Sequence, residues 1–171
     1  MILKFNKLIK KSRAKTGHIG LLYNETLEND CIFKLGKYDS TLLEHECLIY
    51  QSINKLSCYN FPKFFGYITA KLNCDYNFNT LNNPNLFLTG NNNSNINSTK
   101  IVNLLLIEYI SDFISFNNFT QNEHDVKKIV SVFYQLFLVL EISYQKINFI
   151  HQDLHGDNIL IKKCDENLVL E

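Results

Sequence analysis

Apolar residues come in short bounded runs over the first two-thirds of the chain and in one long helical stretch after it. Between Gly17 and Gly36, the runs 19–23 and 31–35 flank a polar segment, 24–30, which predicts strand, turn and strand. From 41 to 56, Leu42, Leu43, Cys47, Ile49, Tyr50 and Ile53 fall at three- and four-residue spacings, the mark of a helix of about four turns. Phe61-Pro62 ends it, and 64–70 reads as another strand. Residues 101–110 (IVNLLLIEYI) are nearly all apolar and too few to span a bilayer, as expected of a strand buried on both faces. Over 125–147, apolar residues cover almost the whole circumference of a predicted helix, which calls for burial on several sides. The tail reads as loop (149–158), strand (159–161), turn (162–167) and strand (168–170).

One segment interrupts this order. Residues 73–99 contain 11 Asn in 27 positions, too polar to offset the entropy of ordering, and read as a loop inserted into the fold, with 86–88 able to pair briefly as a strand. Asn is frequent throughout, 23 of 171 residues, against two Ala; this reads as coding bias and weakens propensity arguments from Asn.

Composition narrows the function classes. At 171 residues the chain is expected to form one domain, or one and a half. Seventeen basic against 17 acidic residues argue against a nucleic-acid partner. Cys31, Cys47, Cys58, Cys74 and Cys164 are odd in number and never spaced C-x-x-C, so they predict neither a disulfide framework nor a zinc site. The lysines near the N-terminus have no apolar core behind them, and no apolar run reaches the ~18 residues of a membrane span. Together these predict an intracellular protein, cytoplasmic or nuclear, neither secreted nor membrane-bound.

The chemistry concentrates in FIHQDLHGDNILI, 149–161. His151, Asp153, Leu154 and Asn158 fit H-x-D-L-x-x-x-N, entered from a long predicted helix and followed by an apolar strand. In this the sequence resembles the protein-kinase-like phosphotransferases. The resemblance implies an α+β fold: a small lobe of five antiparallel strands and one helix, with its hinge strand, over 1–110, and an incomplete helical large lobe over 111–171. It implies ATP and Mg2+ as cofactors, Asp153 as catalytic base for an acceptor hydroxyl, Asn158 as a magnesium ligand, and His151 as a structural support of the loop. It assigns Lys34 to the phosphates and Glu46 as its orienting partner, with Glu44 as the fallback. It sets Ile107 behind adenine, and the backbone of Glu108 to Ile110 beside it. Gly17 and Gly20 stand in a degenerate glycine-rich lid, whose first glycine is Lys15. Two other readings of the loop are a metal cluster, since His151, Asp153, His155 and Asp157 alternate, and a purely structural polar loop.

Departures from the pattern shape the acceptor and activity expectations. Ile32 replaces the small residue expected facing adenine, and Gln152 replaces the arginine that reads activation-loop phosphorylation. His155 stands where Ser/Thr kinases carry lysine, which is similar to haspin-like kinases, kinase-like proteins of large DNA viruses and small-molecule phosphotransferases. The D-F-G aspartate would fall near Glu171, and no D-F-G occurs in the sequence. Phosphoryl transfer to a Ser/Thr hydroxyl of a protein is thus the leading expectation. The alternatives are an aminoglycoside- or choline-type acceptor and an inactive fragment that serves as a binding module. With the remaining large-lobe helices absent from the sequence, one face of the 125–147 helix is expected to be exposed and to cause poor solubility, self-association or capture of a partner.

Overall fold

A computed structural model describes residues 3–11, 18–24, 28–36, 41–56, 60–73, 87–88 and 99–163. The chain is mixed α+β and divides into two compact units, Met1–Lys55 with Phe61–Tyr109, and Leu56–Asn60 with Ile110–Glu171.

The first unit is an antiparallel sheet with one helix. Its strands are β1 (Leu3–Lys11), β2 (His18–Asn24), β3 (Asn29–Gly36), β4 (Phe64–Asn73), β5 (Phe87–Leu88) and β6 (Thr99–Glu108), and α1 (Thr41–Asn54) follows β3. The spatial order is β1-β2-β3-β6-β4-β5, so the apolar β6 lies between β3 and β4, far from either edge. Alternation along β3 sorts its side chains to two faces. Cys31, Phe33 and Leu35 join Leu22, Val102, Leu104 and Leu106 in one buried cluster. Ile32 packs on the other face against Leu105 and Ile107, which α1 covers with Leu43 and Cys47. Lys34 shares the parity of Ile32, so it stands on the α1 side.

Two local devices fix the α1–β4 junction. The Asn54 side chain, in the last turn of α1, donates to Phe64 O and accepts from Phe64 N–H, each at 3.1 Å, as a neighbouring strand would. A register shift between Phe64 and Gly66, with Gly66 at φ 158°, is a bulge in β4. It lets Phe64 and Tyr67, three residues apart, pack with the same cluster.

The sheet has six strands where five were expected. The sixth is the two-residue β5; β1, the first of the five, was not located by pattern, since LKFNKLIKK loses period-two alternation after Phe5. The register shifts between Phe5 and Lys7 and between Leu8 and Lys10 are the reason, because each bulge resets the alternation. The brief strand expected at 86–88 is present as β5, paired to Lys71 and Leu72. Most of the Asn-rich insertion, residues 12–17 and the strand expected at 168–170 lie outside the described residues.

The second unit contains β7 (Ile114–Ser115), α2 (Phe116–Asn122), α3 (Val126–Ile147), a 3-10 turn (Gly156–Asn158) and β8 (Leu160–Ile161). α2 was not expected: it is one short Asn-rich helix, nucleated by Ser115, whose hydroxyl accepts Asn118 N–H at 3.3 Å. Asp125 caps α3 through Lys127 N–H at 2.9 Å, and Asn148 ends it in the left-handed region at φ 53°. Burial on several sides of α3, expected from its pattern, does not occur: Val139 and Ser143 are its buried residues, while Val126, Val130, Tyr134 and Phe137 are exposed. Phe116 of α2, edge-on to Phe133 at 5.1 Å, shields one flank. The exposed face expected from the resemblance is present. Among the described residues, no helix is long and apolar enough to cross a membrane.

Candidate functional site

The two groups of candidate residues are held by different forces. In the first unit, Lys34 extends from β3, with its neighbours paired to β2 and β6, and its ammonium forms an ion pair with Glu46 of α1. Glu46, not Glu44, is the partner. The pair is about two-thirds shielded, at 27% and 33% side-chain exposure. One turn after Glu46, Tyr50 sets its ring 5.9 Å from the Lys34 ammonium, a cation–π contact that the sequence reading had not singled out. Burial pushes the Tyr50 hydroxyl above the usual tyrosine range, with the Lys34 cation opposing and the Glu46 carboxylate reinforcing the shift. The i, i+4 spacing of Glu46 and Tyr50 was the available signal for this third member.

Around this pair, Ile107 is buried beside Leu105, and Ile32 is its cross-strand partner in the same cluster. Glu108 closes the end of β6: its N–H donates to Lys63 O at 2.8 Å, and its carboxylate accepts Lys63 N–H at 3.0 Å. The backbone donor of Glu108 is therefore engaged within the sheet. Gly20 is buried inside β2, registered with Leu8 on one side and Phe33 on the other. Gly17 and Lys15 lie outside the described residues, as does Glu171.

In the second unit the loop after α3 is built by backbone-to-side-chain hydrogen bonds. Phe149 meets His151 edge-on at 5.9 Å. His151 Nδ1 accepts Asp153 N–H, and His155 Nδ1 accepts Asp157 N–H, both at 3.3 Å. With Nδ1 accepting, each neutral imidazole carries its proton on Nε2. Asn158 brings the ends of the loop together: its Nδ2 donates to Asp153 O at 2.9 Å and lies 3.3 Å from Asp153 Oδ2. His155 Nε2 stands 3.9 Å from the same carboxylate oxygen. The Asp153 side chain is 84% exposed, so its carboxylate is held from one side and open on the other.

A strap keeps this loop in place. β7 pairs with β8 through Ile114↔Ile161 and Ser115↔Leu160, and Phe116 N–H donates to Ile159 O at 2.9 Å. From the first turn of α2, Asn117 donates to Asp157 Oδ1 at 2.8 Å. Gly156 leaves room for it, since a Cβ there would stand 2.0 Å from Asn117 Oδ1. The sequence reading missed Asn117, and Ser115 as a helix cap was the signal that could have located it.

The metal-cluster reading of this loop is not supported by its geometry. His151, Asp153, His155 and Asp157 alternate in sequence but lie across a turn and a 3-10 segment, with β8 starting only at Leu160, so they share no strand face. Among the described residues, no group of three or more His, Cys, Asp or Glu is placed to hold a metal ion. Asn158 offers a different donor: with its amide N–H engaged by Asp153, its Oδ1 is left for a hard cation, which takes oxygen ligands.

No protein-family profile matches the chain. It is similar to Uncharacterized protein 098R of Invertebrate iridescent virus 6, at 30% identity over 172 aligned positions that cover 82% of this chain and 28% of the relative. It is also similar to Uncharacterized protein 038R of Invertebrate iridescent virus 3, at 26% identity over 139 positions, 78% of this chain and 23% of the relative. The chain spans about a quarter of the length of these curated relatives.

Proposed function

We propose that the chain carries the phosphate-handling part of a protein-kinase-like phosphotransferase, with ATP and Mg2+ as cofactors and a Ser/Thr hydroxyl of a protein as acceptor. The observation that carries this reading is the Lys34–Glu46 pair, a strand lysine oriented by a helix glutamate in a chain that also holds Asp153 and Asn158 together. In this reading the six-stranded unit is the small lobe, and the helical unit opens the large lobe.

Phosphoryl transfer demands little covalent chemistry of the protein and depends on position and charge. Lys34, fixed by Glu46 and Tyr50, neutralises phosphate oxygens of the nucleotide. Asp153 orients the acceptor hydroxyl and takes its proton as the oxygen attacks the terminal phosphorus and the bond to ADP breaks. Asn158 holds Asp153 through its amide and presents Oδ1 to magnesium. A bound Mg2+ would offset charge on the phosphate oxygens. With the Glu108 N–H engaged by Lys63, the carbonyl is the part of the Glu108 peptide that this reading leaves to adenine.

His155 beside Asp153 supports a second acceptor class, a small aminoglycoside- or choline-type hydroxyl. Mg·ATP is expected to raise the melting temperature of the chain, and Lys34→Ala is expected to abolish the rise. Asp153→Ala should keep the rise while abolishing transfer in a screen of protein, aminoglycoside and choline acceptors. No rise in the unmodified chain would remove the cofactor assignment.

A further inference from the structure

Glu46, Tyr50 and Asn54 stand four residues apart on α1, so they lie along one line of the helix. Each of them meets the sheet. Glu46 pairs with Lys34 of β3, and Tyr50 sets its ring 5.9 Å from the same ammonium. Tyr50 also stacks on Phe64 of β4, with ring centroids 6.4 Å apart and planes 14° apart. Asn54 then holds the backbone of that same Phe64 through both of its polar groups, at 3.1 Å each. Phe64 is in turn registered with Ile107 of β6, and its neighbour Lys63 is bonded to Glu108 through both backbone groups.

The apolar contacts of α1 seat it on the sheet without fixing its position along its own axis. Leu43 and Cys47 pack with Leu105 and Ile107, and hydrophobic contact is non-directional. A hydrogen bond is directional and weakens steeply with misalignment. An amide side chain carries donor and acceptor together, so Asn54 matches the N–H and the carbonyl of one residue. We propose that Asn54 is a positioning residue for Lys34. Its clamp on Phe64 fixes α1 where Glu46 and Tyr50 engage the ammonium, so the lysine is set before a ligand arrives. The proposal rests on the assignment of Lys34 to the nucleotide phosphates. A site formed in advance binds at its full intrinsic affinity, whereas one formed part of the time loses affinity in proportion.

Two measurements on the 171-residue chain test this. Asn54 is exposed, so its replacement removes the clamp without opening a cavity, and circular dichroism should show unchanged helix content. In the first, without nucleotide, lysines are acetylated with an N-hydroxysuccinimide ester. The rate at Lys34 is read by peptide mass spectrometry against that at Lys127, exposed on α3. Asn54→Ala is expected to raise the Lys34 rate about fivefold, the equivalent of one net hydrogen bond. Asn54→Asp should act in the same direction, since a carboxylate accepts Phe64 N–H but has no proton for Phe64 O. Glu46→Gln should also raise the rate, and adding Asn54→Ala to it should change little, because both act through one pair. In the second, Asn54→Ala should raise the dissociation constant of Mg·ATP about fivefold. A lowered melting temperature with the Lys34 rate unchanged, or full additivity with Glu46→Gln, overturns the proposal and makes Asn54 a structural clamp alone. A raised Lys34 rate in a chain whose unmodified form shows no Mg·ATP response overturns the phosphate assignment instead, so the two failures are told apart.

Discussion

The two units of this chain hold their chemistry in opposite ways. In the sheet unit, β6 is buried from Val102 to Ile107 between β3 and β4, and α1 covers the face that bears Lys34. The lysine is positioned by dense packing and needs one charged partner. In the helical unit two α3 residues are buried, and the loop with Asp153 is fixed instead by hydrogen bonds that His151 and His155 accept and that Asn158 and Asn117 donate. Packing is cooperative and resists local change. A partly exposed hydrogen-bond network gives each member about 1 kcal/mol and can be dismantled one bond at a time. Core substitutions should therefore be felt far more strongly in the first unit than in the second.

The largest expected effect breaks the comparison at its strong side. Leu106→Ala, in the buried centre of β6, should cost about 2–5 kcal/mol in urea denaturation, whereas Phe137→Ala on the open face of α3 should cost less than about 1 kcal/mol. Equal losses would mean that the α3 face is covered. Next comes Gly156→Ala, whose Cβ drives the Asn117 side chain away and removes its bond to Asp157. It should lower stability by about 1 kcal/mol, and Asn117→Ala should have a similar effect but not add to it. Full additivity in that double variant would separate the two residues.

The ion pair sharpens the comparison at smaller amplitude. Being one-third exposed, it is worth about 1 kcal/mol or less to stability. The exchange Lys34→Glu/Glu46→Lys should recover most of the melting temperature lost by either single change, without recovering the response to Mg·ATP. Recovery of both would reduce the lysine to a structural role. The smallest effect concerns Cys31, whose thiol is raised from 9.0 to about 11 by burial first and the Asp30 charge second. The folded chain holds that proton more tightly than the unfolded chain, so the contribution is present below pH 9 and is lost as pH rises from 9 to about 11. Alkylation of Cys31 at pH 9 should be slow until denaturant is added, and rapid labelling of the native chain would contradict its burial.

What could be read from the sequence follows the same division. β2, β3, β4 and β6 were legible as bounded apolar runs, and α1 and α3 by apolar residues at three- and four-residue spacings over 14 and 22 residues. β1 was not, because its bulges break the alternation, and α2 was not, because seven residues rich in Asn carry little helical signal beyond the Ser115 cap. At the site, the residues in a fixed motif, Asp153 and Asn158, could be named, as could Lys34 and Glu46 by their order. Asn117 and Tyr50 were not named, since the Ser115 cap and the spacing from Glu46 mark their positions while their roles arise from tertiary contacts.

The central claim is that Lys34 meets the phosphates of a nucleotide. An acyl-phosphate derivative of ATP, which transfers its acyl group to a lysine amine beside the bound phosphates, tests it directly when the modified peptide is located by mass spectrometry. The account predicts labelling at Lys34 that excess Mg·ATP suppresses and that Glu46→Gln weakens. Labelling spread over the surface lysines without protection by Mg·ATP, or absent from Lys34, would contradict it.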